Sequence, residues 1–342
     1  MSQILLGGYT RQSNRGLHIV TIDEDTQQII DNYQLIEEKN PTYFALSRDN
    51  HHFYTLSEAH GEPGVSHYRL ENGQAELKQH LPVFPGNGCY ISYDEDNNNL
   101  YLSDYHHGKV AVVTLDENGM MSLTDIVTHE GSGPHENQDQ AHAHFIKKAP
   151  TTDYIYSCDL GTDEVHTYQL TNDNTLEEVA VLHAAPGTGP RHLAFHPSLP
   201  IAYLVGELDY SVTVLQLNED GTITAGNSQI TIPTDYEEFN SSSAIRLTKD
   251  ARHLYVSNRG HNSISSYRIS NDGLTLYPIE TVATHADFPR DFNFSQDETF
   301  ILVGHQKENK VTLFQRNKET GRLNYIDETP IDEMVCVEPL NG

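Results

Sequence analysis

The sequence contains no tryptophan, only three cysteines and no long apolar segment among its 342 residues. The absence of tryptophan argues against the WD and kelch classes of repeat, whose units carry Trp or Gly-Gly signatures. Cys89, Cys158 and Cys336 are far apart and odd in number, so we expect neither a disulfide framework nor a thiolate metal cluster, and a reducing compartment is favoured. No apolar run approaches the roughly 20 residues that a membrane-spanning helix needs.

Basic residues are also scarce. The chain has 21 Lys and Arg and 49 Asp and Glu, which gives a formal net charge of −28. Such a chain has no general affinity for nucleic acid or anionic lipid, so any anionic ligand needs a local cationic pocket. The start of the chain, MSQILLGGYT, lacks the basic and apolar regions of a signal peptide. We therefore expect a soluble, cytoplasmic protein with no nucleic-acid or membrane partner.

What the chain does contain is a repeat of short alternating runs rich in Tyr, Val, Ile and Thr, separated by Asn, Asp, Gly and Pro. This pattern is typical of strands and turns. Six segments align, and a branched residue opens the third predicted strand of each one. These residues recur about every 45 to 55 positions, at Val65, Val110, Val165, Val212, Ile264 and Val311.

Each segment continues into a fourth strand after a turn, for example at residues 117–119 and 271–273. Four antiparallel strands at this period describe one blade of a β-propeller. Residues 3–9, 17–23 and 27–36 supply three further strands and residues 334–337 a fourth, so the two chain ends share one blade. We predict an all-β single domain over residues 1–342, a seven-bladed β-propeller. A β-helix or a large sandwich explains this period less well.

The stretch from 187 to 207 predicts a hairpin with its turn near Leu199. Antiparallel pairing then joins positions whose numbers add to about 398, which places Arg191 beside Glu207. The pair is either a structural ion pair or half of an active site. Because the innermost strand of a blade starts at one rim of the channel, the pair should lie at that rim.

The same arithmetic places His144 opposite Cys158 or Asp159, and Arg290 opposite Gln306. These side chains should therefore meet Arg191 and Glu207 at one mouth of the channel, where propellers usually bind ligands. Any one of them could instead tie neighbouring blades together. Matching positions at the ends of second strands are held by Glu58, Asp104, Asn258 and Arg259.

Several segments resemble the seven-bladed lactonase family typified by the propeller-type 6-phosphogluconolactonases. They are GTGPRHLAFHP, HAHF, SCDLGTDEV, YVSNRGHNSISSYR and FPRDFNFSQDETFILVGHQ, and the resemblance covers nearly the whole chain. It implies hydrolysis of a phosphorylated sugar lactone, 6-phospho-D-glucono-1,5-lactone, to 6-phosphogluconate in the pentose phosphate pathway. The partner would be a small anionic lactone, and no cofactor is implied.

The family is also similar to a fungal carboxymuconate-lactonising enzyme with a His, Arg and Glu active site. Carried over by motif, the catalytic residues are His144, Arg191 and Glu207, with Glu207 as general base and His144 as acid or co-base. Arg290 would bind the phosphate or carboxylate. Further substrate-binding candidates are His142, Asp159 and Gln306. Residues 137–144 read NQDQAHAH and lack the arginine and proline frequent in the family, which leaves one cation fewer near the mouth.

Other functions stay open from the sequence. A reversible lactonisation of a dicarboxylate would also suit two arginines, and a non-catalytic binding propeller is a third possibility. His142 and His144 share a strand face and could co-ligate a metal with Asp159, but no third ligand has convincing spacing, so we predict no metal site. For assembly we expect a monomer or a weak homodimer.

Overall fold

The computed structural model describes residues 1–59 and 61–340. Its strands form seven sheets of four antiparallel strands each, which confirms the predicted seven-bladed all-β propeller. Among the described residues, no helix has the length and apolarity that crossing a membrane requires.

The strands follow one another blade by blade along the chain. The chain begins with three strands of the seventh blade, which are β1 (Ser2–Gly8), β2 (Gly16–Asp23) and β3 (Gln28–Glu37). The first and second blades hold β4 (Phe44–Leu46), β5 (His52–Ala59), β6 (Glu62–Glu71), β7 (Gln74–Pro82), β8 (Tyr90–Asp94), β9 (Asn99–Asp104), β10 (Lys109–Leu115) and β11 (Met121–Thr128). The third and fourth hold β12 (Ala143–Lys148), β13 (Tyr154–Asp159), β14 (Glu164–Leu170), β15 (Leu176–His183), β16 (Pro190–Phe195), β17 (Ile201–Gly206), β18 (Ser211–Leu217) and β19 (Ile223–Ile230). The fifth and sixth hold β20 (Ser241–Leu247), β21 (His253–Arg259), β22 (Ser263–Ile269), β23 (Leu276–Ala283), β24 (Pro289–Phe294), β25 (Phe300–His305), β26 (Val311–Arg316) and β27 (Leu323–Thr329), and β28 (Met334–Leu340) completes the seventh.

The ring is closed by the two ends of the chain. Strand β28 pairs antiparallel with β1, and Gln3 lies opposite Leu340 while Leu6 lies opposite Val337. The seventh blade therefore combines three N-terminal strands with one C-terminal strand, as predicted from the sequence.

The repeat seen in the sequence corresponds to the buried core between the blades. The branched residues that open the third strands are fully buried, namely Val65, Val110, Val165, Val212, Ile264 and Val311. Burying a side chain of this size contributes roughly 1.5–3 kcal/mol. Tyrosines of the second strands also join blades: the Tyr203 hydroxyl donates to the Gly273 carbonyl at 2.9 Å, and that of Tyr255 to the Gly321 carbonyl at 2.9 Å.

Candidate active site

The innermost strands of the third, fourth and sixth blades each begin with a β-bulge. In each case the pairing with the second strand shifts register, and one residue is left without a partner. The extra residues are, in blade order, His144, Arg191 and Arg290. A bulge turns the side chain of its extra residue away from the regular alternation of the strand. Three blades thus direct a cationic or titratable side chain toward the same end of the channel.

A cavity of about 370 Å³ lies at this end of the channel. Five of the seven predicted site residues line it, together with the arginine that ends β21; they are His144, Arg191, Glu207, Arg259, Arg290 and Gln306. His192 lines this cavity and also a second one, of about 600 Å³, which lies at the C-terminal ends of the innermost strands. The rings of Tyr43 and Tyr90, 4.6 Å apart, pack with His192 between the two cavities.

Glu207 is held between two arginines from two blades. Its Oε2 accepts a hydrogen bond from Arg191 Nε at 2.8 Å and lies 2.7 Å from Arg259 Nη2. The arginines are fixed in turn by backbone carbonyls, because Arg191 Nη1 donates to Ser243 at 2.9 Å and Arg259 Nε to Ser241 at 3.2 Å. The predicted pairing of Arg191 with Glu207 is therefore present, and it is part of a three-residue cluster.

The charge states of Glu207 and Arg191 are set by their burial and by the charges of their neighbours in the cluster. Burial raises the pKa of the Glu207 carboxyl, but Arg259 and Arg191, with Arg290, more than offset this and bring the pKa below its ordinary 4.5. Burial and Arg259 lower the pKa of Arg191 to about 10. At neutral pH Glu207 is therefore an anion and Arg191 a cation.

Some polar atoms of the cluster are left for a ligand. Within the described residues, no hydrogen bond ends on Glu207 Oε1, and neither Arg191 Nη2 nor Arg259 Nη1 has a protein acceptor. All three side chains line the cavity. The cavity therefore offers one carboxylate oxygen, which can accept a proton from water, and two guanidinium nitrogens, which can stabilise an oxyanion.

His144 lies beside this cluster in a buried position. Its Nδ1 is buried without a hydrogen-bond partner, and its ring packs edge to face against His192 at 5.1 Å. Burial, followed by the charges of Arg191 and Arg290, holds the pKa of His144 well below its usual 6.5. The ring is thus neutral at physiological pH, which argues against the expectation that an imidazolium of His144 serves as the acid.

The structure does not bring His142 and Asp159 to the cavity, which corrects the sequence expectation for both. Asp159 is fully buried, and its carboxylate accepts hydrogen bonds from His129 Nδ1 at 2.8 Å and from the His142 backbone N–H at 2.8 Å. The His142 ring stacks on Tyr105 at 4.2 Å and lies 3.1 Å from Asp139 Oδ1. Tyr105 lines the cavity, so His142 supports the wall from behind.

Arg259 is the residue that sequence reasoning left without a role. Its place at the end of a second strand predicted a position at the rim. Its ion pair with Glu207, by contrast, crosses from the fifth blade to the fourth and is not contained in any hairpin pattern. Gln306 is where the hairpin arithmetic placed it, because its Oε1 accepts a hydrogen bond from Arg290 Nη1 at 2.8 Å. No group of three or more His, Cys, Asp or Glu within the described residues is placed to hold a metal ion.

Comparison with known proteins identifies the family. The family model described as "Lactonase, 7-bladed beta-propeller" matches residues 3–339. The chain belongs to this lactonase family. A Bacillus subtilis protein named 6-phosphogluconolactonase is 34% identical over 345 residues, covering 98% of this chain and 97% of that protein.

Solved structures of related proteins share the fold along the whole chain. A Lactobacillus plantarum protein superposes with a TM-score of 0.95 at 33% identity and covers 100% of both chains. The periplasmic gluconolactonase of Pseudomonas aeruginosa superposes with a TM-score of 0.94 over 99% of both chains, and at 22% identity it shows the fold alone. The family and its lactonase scaffold are therefore shown for this chain.

Proposed function

We propose that this lactonase hydrolyses 6-phospho-D-glucono-1,5-lactone to 6-phosphogluconate, a step of the pentose phosphate pathway. The main support for this proposal is the ionised Glu207, whose Oε2 is bound by Arg191 and Arg259 and whose Oε1 has no donor among the described residues. The 34% identity to the Bacillus subtilis protein named 6-phosphogluconolactonase supports the choice of substrate.

In the proposed mechanism Glu207 Oε1 takes a proton from a water molecule as the water oxygen attacks the lactone carbonyl carbon. The carbonyl oxygen becomes an oxyanion, which Arg191 Nη2 and Arg259 Nη1 stabilise. One well-placed donor of this kind is worth about 3 kcal/mol, or at least a hundredfold in rate. The bond from the carbonyl carbon to the ring oxygen then breaks, and Glu207 returns its proton to that oxygen. The acid formed ionises in water.

The test is lactone opening measured through NADP-coupled oxidation of 6-phosphogluconate, with spontaneous hydrolysis subtracted. We expect the wild type to exceed the spontaneous rate clearly and Glu207→Gln to lose about a hundredfold or more, because the amide cannot accept the proton. A matched control is Glu298→Gln, which alters a buried glutamate that is likewise paired with an arginine, Arg316, away from the cavity.

Full activity in a folded Glu207→Gln would remove Glu207 from the reaction, and a wild type no faster than the spontaneous reaction would refute the substrate. Competition by inorganic phosphate and by dicarboxylates separates this substrate from a dicarboxylate lactonised on the same scaffold. We further propose a cytoplasmic monomer or weak homodimer, and the three free cysteines support a reducing compartment.

A further inference from the structure

Two arginines flank one tyrosine ring at the mouth of the cavity. The Arg11 guanidinium carbon lies 3.8 Å from the centre of the Tyr9 ring, and that of Arg290 lies 5.7 Å from the same centre. All three residues line the cavity that contains Glu207. Arg11 comes from the loop between β1 and β2 in the seventh blade, so it reaches the cavity from a different blade than Arg290 in the sixth.

Neither of these arginines has a carboxylate partner among the described residues. The Arg11 side chain makes no hydrogen bond there, and that of Arg290 donates only to Gln306. Arg191 and Arg259, in contrast, share the single carboxylate of Glu207 as their ion-pair partner. In a chain whose formal charge is −28, two unpaired guanidinium groups at one mouth leave a local excess of positive charge.

The loop that carries Arg11 is fixed before any ligand arrives. The backbone N–H groups of Arg11 and Gln12 donate to Glu333 Oε2 at 2.8 and 2.9 Å. The Asn14 side chain donates to the Tyr9 carbonyl at 2.6 Å. The Glu333 carboxylate that contacts this loop is therefore bound by backbone N–H groups, and the Arg11 side chain remains available for a ligand.

We propose that Arg11, Tyr9 and Arg290 form a phosphate-binding subsite that selects phosphorylated over unphosphorylated lactones. This deepens the proposed function and rests on it. A phosphate monoester carries nearly two negative charges and three acceptor oxygens, which two guanidinium forks can bind together. Held there, the phosphate anchors the substrate at the mouth while its lactone ring enters toward Glu207.

The test compares Arg11→Gln with Arg15→Gln. Arg15 is in the same loop and does not line the cavity, and its Nη1 donates to the carbonyls of Gln12 and Asn14 at 2.7 and 2.8 Å. We expect Arg11→Gln to raise KM for the phosphorylated lactone about tenfold with a smaller change in kcat, because a charge-assisted contact to the bound phosphate is lost. The ratio of kcat/KM for phosphorylated over unphosphorylated gluconolactone should fall by the same factor, and Arg15→Gln should keep the wild-type ratio.

A binding measurement separates this proposal from the proposed function. Calorimetric titration should show 6-phosphogluconate binding the wild type more tightly than gluconate, and Arg11→Gln should lose about tenfold for 6-phosphogluconate. If the wild type opens neither lactone but this difference holds, the reaction is refuted and the subsite stands. If the wild type opens lactones while Arg11→Gln keeps both the kinetic ratio and the affinity for 6-phosphogluconate, the subsite is refuted and the reaction stands. Equal affinity of the wild type for gluconate and 6-phosphogluconate also refutes the subsite.

Discussion

Glu207 combines two properties that usually oppose each other in a general base. The arginines that hold it depress its pKa, which makes it a weaker base, but they also keep it ionised inside a buried site. Such a carboxylate acts through position, since Oε2 is fixed by Arg191 and Arg259 while Oε1 remains open. A lactone already reacts with water unaided, so a weak but well-placed base suits this reaction.

A prediction for the pH profile follows from the depressed pKa values of Glu207 and His144. Both groups have lost their protons by about pH 6. For unphosphorylated gluconolactone, which lacks the phosphate group that itself titrates near pH 6, kcat/KM should therefore be flat from about pH 6 to 8 and should fall only as Glu207 is protonated in acid. The measurement is the initial rate in overlapping buffers, with spontaneous hydrolysis determined at each pH. An inflection near 6.5 would mean that His144 titrates as an ordinary histidine, contrary to its burial beside Arg191.

The residue scale also shows what hairpin arithmetic can predict. It placed Glu207 and Gln306 beside their arginines because partner positions in an antiparallel pair follow from the turn. It was wrong for the side chain of Asp159, because pairing position does not tell which way a residue at a strand end points. There the carboxylate turns inward to bind His129 and the backbone N–H groups of the following turn.

At the scale of the strand, the same irregularity, a β-bulge, positions three residues of the candidate site. His144, Arg191 and Arg290 each occupy a bulge at the start of an innermost strand. The alternation of apolar and polar residues predicted these strands correctly, but a bulge is a local departure from alternation and leaves no clear mark in the pattern. The geometry of the site therefore depends on backbone detail that only the folded chain reveals.

A prediction at this scale concerns the tight packing behind the His144 bulge. A Cβ at Gly161 would lie 1.8 Å from the Gln140 carbonyl oxygen and 2.8 Å from the His142 backbone nitrogen. Gly161→Ala must therefore push apart two backbone segments, and we expect it to lower the free energy of unfolding by about 1–3 kcal/mol and to reduce activity. Denaturant unfolding and lactone opening are the measurements.

The control for this substitution is Gly226→Ala in β19, where the nearest atom to a new Cβ is the Val214 carbonyl oxygen at 3.3 Å. That substitution should change stability far less. Equal stability of the Gly161→Ala and wild-type proteins would show that the segment before His144 and the turn at Gly161 can move apart without cost.

At the scale of the whole molecule, neighbouring blades are tied by contacts that the repeat does not contain. The period and the buried branched residues predicted the number of blades and their order. The partners across blades, such as Tyr203 with Gly273 or Arg259 with Glu207, depend on how one sheet lies against the next. They could not be predicted from a repeat that describes each blade alone.

The lowered pKa values of buried histidines predict how the stability of the fold depends on pH. Burial is the main cause that lowers the pKa of His67, His253 and His305 to about 4. Since the unfolded chain binds these protons near 6.5, stability is fully present above that value and decreases as pH falls toward 4, by up to roughly 1.4 kcal/mol for each unit of pKa difference at a fully buried site.

We therefore expect a lower melting temperature at about pH 5.5 than at about pH 7.5, a window in which carboxylates with ordinary pKa values remain ionised. Burial raises the pKa of Asp209, Asp291 and Glu338, and these fewer groups act in the opposite direction. The control is His305→Asn, which removes one of these buried titrating groups, and the melting temperature of this variant should depend less on pH. A melting temperature that is unchanged or higher at the acidic pH would contradict this account.

The pairing of β1 with β28 has a mechanical consequence. Because the two strands are antiparallel and Gln3 lies opposite Leu340, the start of β1 and the end of β28 lie at the same end of this strand pair. A force that pulls these ends apart therefore acts on one backbone hydrogen bond after another, like the opening of a zipper, and does not shear them all at once. The strand pair that closes the ring is thus the first part of the fold to bear this force.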